Sequence, residues 1–97
     1  MEAAAWKLKI PVSRNGEFLN YELRELGIDE FMAVQTLIEK KKWIEAFILF
    51  LNSTKVGGDE VSKLKEEFDK NNIIPFVFCM KTITEILEPV QGELKKN

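Results

Sequence analysis

The stretch Trp43-Ile44-Glu45-Ala46-Phe47-Ile48-Leu49-Phe50-Leu51 decides how this chain folds. All but Glu45 are apolar, so a helix over Trp43–Ser53 has no polar face wide enough to meet water. Burying a side chain such as Phe or Leu contributes roughly 1.5–3 kcal/mol. The segment therefore requires cover on nearly every side. Either it forms the centre of the core, wrapped by everything else, or one side stays open for a partner or a second copy. The two readings are compatible.

Before it, Asp29 is placed to cap a helix whose Phe31, Val34, Leu37 and Ile38 recur on one face. Lys40-Lys41-Lys42 suits the carboxyl end of that helix, where the dipole favours cations. No Pro or Gly separates the two segments, so one kinked helix and two distinct helices both remain open. After it, Gly57-Gly58 breaks the chain and Asp59 is placed to cap a third helix ending near Lys70. That helix is amphipathic, with Val61, Leu64 and Phe68 inward and Lys63, Lys65, Glu66 and Glu67 outward. Asn71-Asn72 makes the next turn, and Pro75 fits the first turn of a fourth helix, where a missing N–H costs nothing. Met80, Ile83, Ile86 and Leu87 form its stripe; Pro89 is expected to stop it, leaving residues 89–97 as a flexible tail.

At the amino end, Trp6, Leu8, Ile10 and Val12 alternate with Lys7, Lys9 and Pro11, the period of a half-buried strand. Asn15-Gly16 supplies the dipeptide suited to positive φ in a tight turn, and Phe18–Leu23 follows as a second strand. Two strands are marginal alone, so this hairpin must pack on the helices or pair with another chain. Its open edges offer a template for strand addition by a partner, while Pro11 and the lysines blunt them. The expected architecture is α+β and mainly helical: one domain over residues 1–97, with a β-hairpin at 5–24 and three or four helices over 29–88.

Composition narrows the function. With 97 residues, 45% apolar and 31% charged, the chain has the make-up of a folded domain. A net charge of −2 with interspersed signs lacks the basic footprint of a nucleic-acid binder. There is no histidine, the commonest general base and metal ligand. The single Cys79 sits in the apolar run Phe76–Met80 and reads as a buried, inert thiol. No signal peptide or membrane-spanning stretch is recognisable, which points to a cytoplasmic protein.

The polar clusters read as structural. Glu25, Asp29 and Glu30, and likewise Glu66, Glu67 and Asp69, fall where helix starts and solvated faces need charge, without a cleft to raise one pKa. Gly57-Gly58-Asp59-Glu60 lacks the Gly-Lys-Ser/Thr ending of a phosphate loop. Lys40–Lys42 beside Trp43 combines charge with a stacking surface, but Glu39 and the negative net charge argue against single strands. No catalytic residue, metal or cofactor is expected, and the chain is not read as an enzyme. The expected activity is protein binding, with Trp43, Phe47, Phe50, Leu51 and Trp6 as candidate anchors, since buried aromatic residues dominate interface energetics.

The layout also resembles the small tail-assembly chaperones of long-tailed bacteriophages. The matching segments are Trp6-Lys-Leu-Lys-Ile-Pro11, Lys55-Val-Gly-Gly-Asp59, Ile86-Leu-Glu-Pro89 and the terminal Glu93-Leu-Lys-Lys-Asn97. The resemblance implies a mainly helical fold, against which an N-terminal hairpin is a departure. It implies a cytoplasmic role in virion assembly, coating the aggregation-prone tape-measure protein and helping to recruit tail-tube subunits. It further implies a longer product made by frameshifting, for which Lys95-Lys96-Asn97 can be encoded by a slippery run of adenines. The competing expectation is a small phage or bacterial inhibitor or adaptor that occupies the surface of one host protein.

Overall fold

The structure, a computed structural model, describes the backbone of residues 6–96 and the side chains of residues 6–87. It is α+β and mainly helical. Strands β1 (Trp6–Pro11) and β2 (Phe18–Leu23) form the expected hairpin, in register from Trp6 opposite Leu23 to Pro11 opposite Phe18. Gly16 takes the positive φ of the connecting turn, at 85°. Pro11 falls at the end of an edge strand, where its lack of a donor is harmless.

Two helices follow: α1 (Ile28–Glu39) and α2 (Trp43–Thr54). What separates them is Lys41, held at φ 62°. Its N–H donates to the Ile38 carbonyl at 2.8 Å, and the Lys42 N–H reaches back to the Leu37 carbonyl at 2.9 Å. This is the paired closure by which helices end, performed by a lysine in the place glycine usually takes. The same closure ends α3 (Val61–Asp69): Asn71 has φ 61°, and Asn71 and Asn72 donate to the Phe68 and Glu67 carbonyls.

Between α2 and α3 lies strand β3 (Lys55–Gly58), where the sequence reads only as a chain break. It pairs antiparallel with β2, giving a three-stranded sheet in the order β1-β2-β3 and closing one of the two hairpin edges expected to be open. Gly58 makes the pairing possible. It has φ 93°, and a Cβ at this position would strike the Asn20 carbonyl oxygen and come within 2.8 Å of the Tyr21 Cα. Glycine is the residue that tolerates both demands.

Several helix ends differ from expectation. The residue preceding α1 is Gly27, not Asp29; the Gly27 N–H donates to Glu30 Oε1 at 2.8 Å, so the carboxylate one turn on does the capping. Asp59 likewise does not cap α3, whose preceding residue is Glu60. It extends the β2–β3 ladder by one step: Asp59 Oδ2 accepts from the Asn20 N–H at 2.8 Å, and the Asp59 N–H donates to the Asn20 carbonyl at 2.7 Å. Helix α4 (Ile73–Lys96) places Pro75 in its first turn as expected, but runs through Pro89. Proline forfeits one helical hydrogen bond, yet its fixed φ is itself helical, and here the ladder resumes beyond it. The side chains of residues 88–97, which include the expected flexible tail at 89–97, lie outside the described residues.

The core gathers one face of the sheet (Leu8, Ile10, Tyr21, Leu23), Val34 of α1, Leu64 of α3 and Cys79, Ile83 and Leu87 of α4 around α2. Helix α2 alone supplies Ala46, Phe47, Ile48, Phe50 and Leu51, more than any other element. The opposite sheet face is polar, with Lys9 Nζ 4.8 Å above the Phe18 ring. Buried polar groups are matched: the Tyr21 hydroxyl donates to the Glu60 carbonyl at 3.0 Å, and Thr54 Oγ1 to the Phe50 carbonyl at 2.7 Å.

Because both the backbone angle and the space at Gly58 exclude a side chain, Gly58→Ala should lose about 1–3 kcal/mol of stability. Gly16→Ala, also at positive φ but with no heavy atom near the added carbon, should lose less. Equilibrium urea denaturation of the two variants checks this; equal losses would show that the close approach to β2 is unimportant.

Candidate partner-binding surface

Enclosing α2 decides which of the candidate anchors a partner can reach. Phe47, Phe50 and Leu51 are at most 1% exposed, so they hold the domain together and offer no accessible face. Phe50 packs between Phe47, at 5.6 Å between ring centroids, and Trp6, at 6.1 Å. Trp6 is half-buried and lines a cleft of about 260 Å³ with Arg24, Leu26 and Ile86. Trp43 is half-buried too, but its seam with Phe76, Cys79 and Met80 leaves only about 10 Å³, no more than a single water requires. The five residues therefore do not form one site: three are core, and two lie in separate places at its margin.

The accessible apolar surface lies one step round α2. Ile44 is 44% exposed and lines both the Trp43 seam and an open groove of about 400 Å³ between α2 and α3. Ile44, Ile48, Leu49 and Phe68 form the apolar part of that groove, with Glu45, Lys65 and Asp69 supplying its charges. Phe68 meets Phe76 of α4 edge to face at 6.5 Å. On either side of Phe76 along α4 stand Ile73 and Val77, 64% and 56% exposed and one turn apart. Helix α1 carries a second such pair, Ile28 and Met32. Ile44, Ile73 and Val77 escape notice in the sequence because each sits within a run that otherwise faces the core. For Ile44 the one available signal is that α2 has more apolar positions than a helix in a domain this small can bury.

The groove depends on α3 staying in place, and carboxylates hold both its ends. At the start, Asp59 accepts from the Asn20 N–H and from Lys63 Nζ at 3.4 Å. At the end, Glu67 Oε1 accepts from Asn72 Nδ2 at 2.9 Å, and Asn72 also donates to the Val12 carbonyl at 2.8 Å, tying the α3–α4 turn to the hairpin. The Asn72 Oδ1 in turn accepts from the Ile74 N–H at the start of α4. The Asn20 N–H beside Asp59 holds that carboxyl below its ordinary range, and the Asn72 amide does the same for Glu67. Glu30 is lowered as well, by the Arg24 guanidinium first and the Gly27 N–H second; the Arg24 fork grips it at 2.6 and 3.0 Å and ties β2 to α1.

Burial pushes the Cys79 thiol far up, so the thiolate is not available near neutral pH. Desolvation, reinforced by Asp59, pushes the Tyr21 phenol up in the same way. Among the described residues, no cluster of three or more His, Cys, Asp or Glu side chains could hold a metal, and no helix is long and apolar enough to cross a membrane. Neither a family model, nor a curated protein, nor a solved structure matches this chain.

Asp59, Glu67 and Glu30 all have lowered folded-state pKa values, so their contribution to stability is present above the ordinary carboxylate range. It is lost as pH falls through the lowered values. Acidification should therefore lower the thermal midpoint of the wild type over that window. The double variant Asp59→Asn/Glu67→Gln should start lower at neutral pH and fall less steeply. Thermal unfolding followed by circular dichroism across acidic pH measures both slopes; parallel curves would sink this account of α3.

Proposed function

We propose that this protein is a non-catalytic, protein-binding chaperone of bacteriophage tail assembly, engaging the tape-measure protein and aiding recruitment of tail-tube subunits in the host cytoplasm. The observation that carries the binding part of this reading is the accessible apolar surface at Ile44 between α2 and α3, together with the exposed Ile73 and Val77 on α4. Apolar side chains grouped on a folded domain favour a protein partner. A groove bordered by helices offers a bed for the apolar face of another helix. A chaperone for a long chain needs such contacts to be individually weak and renewable, which suits a shallow groove better than a deep pocket. The resemblance of Trp6–Pro11, Lys55–Asp59, Ile86–Pro89 and Glu93–Asn97 to the tail-assembly chaperones supplies the partner's identity.

Co-expression with a tape-measure protein of a long-tailed bacteriophage tests both parts. The wild type should keep the tape-measure protein soluble and co-purify with it. Ile44→Asp and Val77→Asp should abolish co-purification while leaving far-UV circular dichroism unchanged. Phe47→Asp, in the core, should instead unfold the domain. Retention of binding by both surface variants would overturn the assignment of the face. Failure of the wild type to bind, with recovery of a stoichiometric complex with one host protein, would replace the chaperone reading by that of a host-directed inhibitor.

A further inference from the structure

We propose that the hairpin turn carries a spontaneous modification site: Asn15 deamidates through attack by the backbone nitrogen of Gly16. Of the asparagines in the chain, Asn15 alone is followed by glycine. The absence of a Cβ on that residue removes the main steric obstacle to bringing its nitrogen onto the Asn15 side-chain carbonyl. Both residues are exposed, and apart from the chain neighbours no heavy atom lies within 4 Å of where a Gly16 Cβ would be, so a five-membered ring and an attacking water have room. The backbone Asn15 N–H donates to Ser13 Oγ at 3.2 Å, which anchors the turn without occupying the reacting groups. Among the described residues, the Asn15 carboxamide makes no hydrogen bond, and the Gly16 N–H makes none of close geometry. The leaving amide is unencumbered, and the nucleophile is restrained by no more than the turn itself.

Other asparagines are placed differently. Asn20 lies in the central strand and is followed by the fully buried Tyr21, and Asn72 is bound through both ends of its amide. At Asn15 the Gly16 nitrogen loses its proton to solvent base and bonds to the Asn15 Cγ. The Cγ–Nδ2 bond then breaks and Nδ2 leaves as ammonia, giving a succinimide. Water adds to one of the two imide carbonyls and reopens the ring. Opening at the former backbone carbonyl yields isoaspartate, which inserts a methylene into the main chain; opening at Cγ yields aspartate. Either product adds a negative charge beside Glu17 in the loop that Val12 and Glu17 close by a 3.0 Å hydrogen bond.

The full chain incubated in mildly alkaline buffer at physiological temperature should gain the mass difference between an amide NH2 and a hydroxyl. Peptide mapping should place that gain at Asn15, about an order of magnitude faster than at Asn20 or Asn52, because a bulkier following residue hinders ring closure. A protein isoaspartate methyltransferase should label the aged wild type. It should not label an equally aged Asn15→Ser variant whose circular dichroism matches the wild type. Conversion at Asn15 no faster than at Asn20 and Asn52, or equal labelling of the variant, would overturn the proposal.

Discussion

Everything in this domain is arranged around the need of α2 to be covered. A helix with Ala46, Phe47, Ile48, Phe50 and Leu51 all in the core cannot lie on a surface. Four elements supply the cover from different directions: the inner sheet face, α1, α3 and α4. The cost of leaving any one of those large side chains in water is comparable with a substantial part of a small domain's whole stability. This makes the placement of the surrounding elements a consequence of α2 and not of their own propensities. Helix α3 illustrates the point: it has one fully buried residue, Leu64, with Val61 and Phe68 packed at the margin of the core.

The surrounding elements are tied down by a small set of polar contacts at their ends. Asn72 joins the hairpin, α3 and the first turn of α4 through a single side chain. Asp59 binds the end of β3 to β2, and the Arg24–Glu30 fork binds the end of β2 to the first turn of α1. Each of these sits at a junction between elements, where backbone donors would otherwise lack partners. Apolar burial thus sets what packs on what, while the junction contacts fix angle and register.

Much of this was legible in the residues. The alternation of Trp6, Leu8 and Ile10, the Asn15-Gly16 turn and the stripe of α3 each carry one period and one breaker, and each forms as read. Strand β3 was not legible because two of its four residues are glycines, which strands ordinarily disfavour; the need for them arises from the approach of β2, a tertiary fact. The separation of α1 from α2 was equally hidden, since a lysine adopts the conformation that would announce itself as glycine. Of the candidate anchors, the fold places Phe47, Phe50 and Leu51 in the core and leaves Ile44 as the exposed large apolar residue of α2. Hydrophobicity marks Phe47 and Phe50 as the strongest anchors, and for that reason the fold consumes them. What remains accessible is the weaker residue Ile44, with Ile73 and Val77 on a different helix.

The position of β3 also constrains when this chain can become itself. Its partner strand β2 is complete at Leu23, but β3 begins at Lys55, so the sheet cannot close until α1 and α2 have both been made. Pairing across so long a separation pays loop-closure entropy before any ladder bond repays it, and is slow relative to local helix formation. On the ribosome, the helical hairpin of α1 and α2 therefore precedes the finished sheet, and α3 and α4, which cover its remaining sides, emerge later still. The most apolar segment of the protein is thus made before two of the elements that cover it.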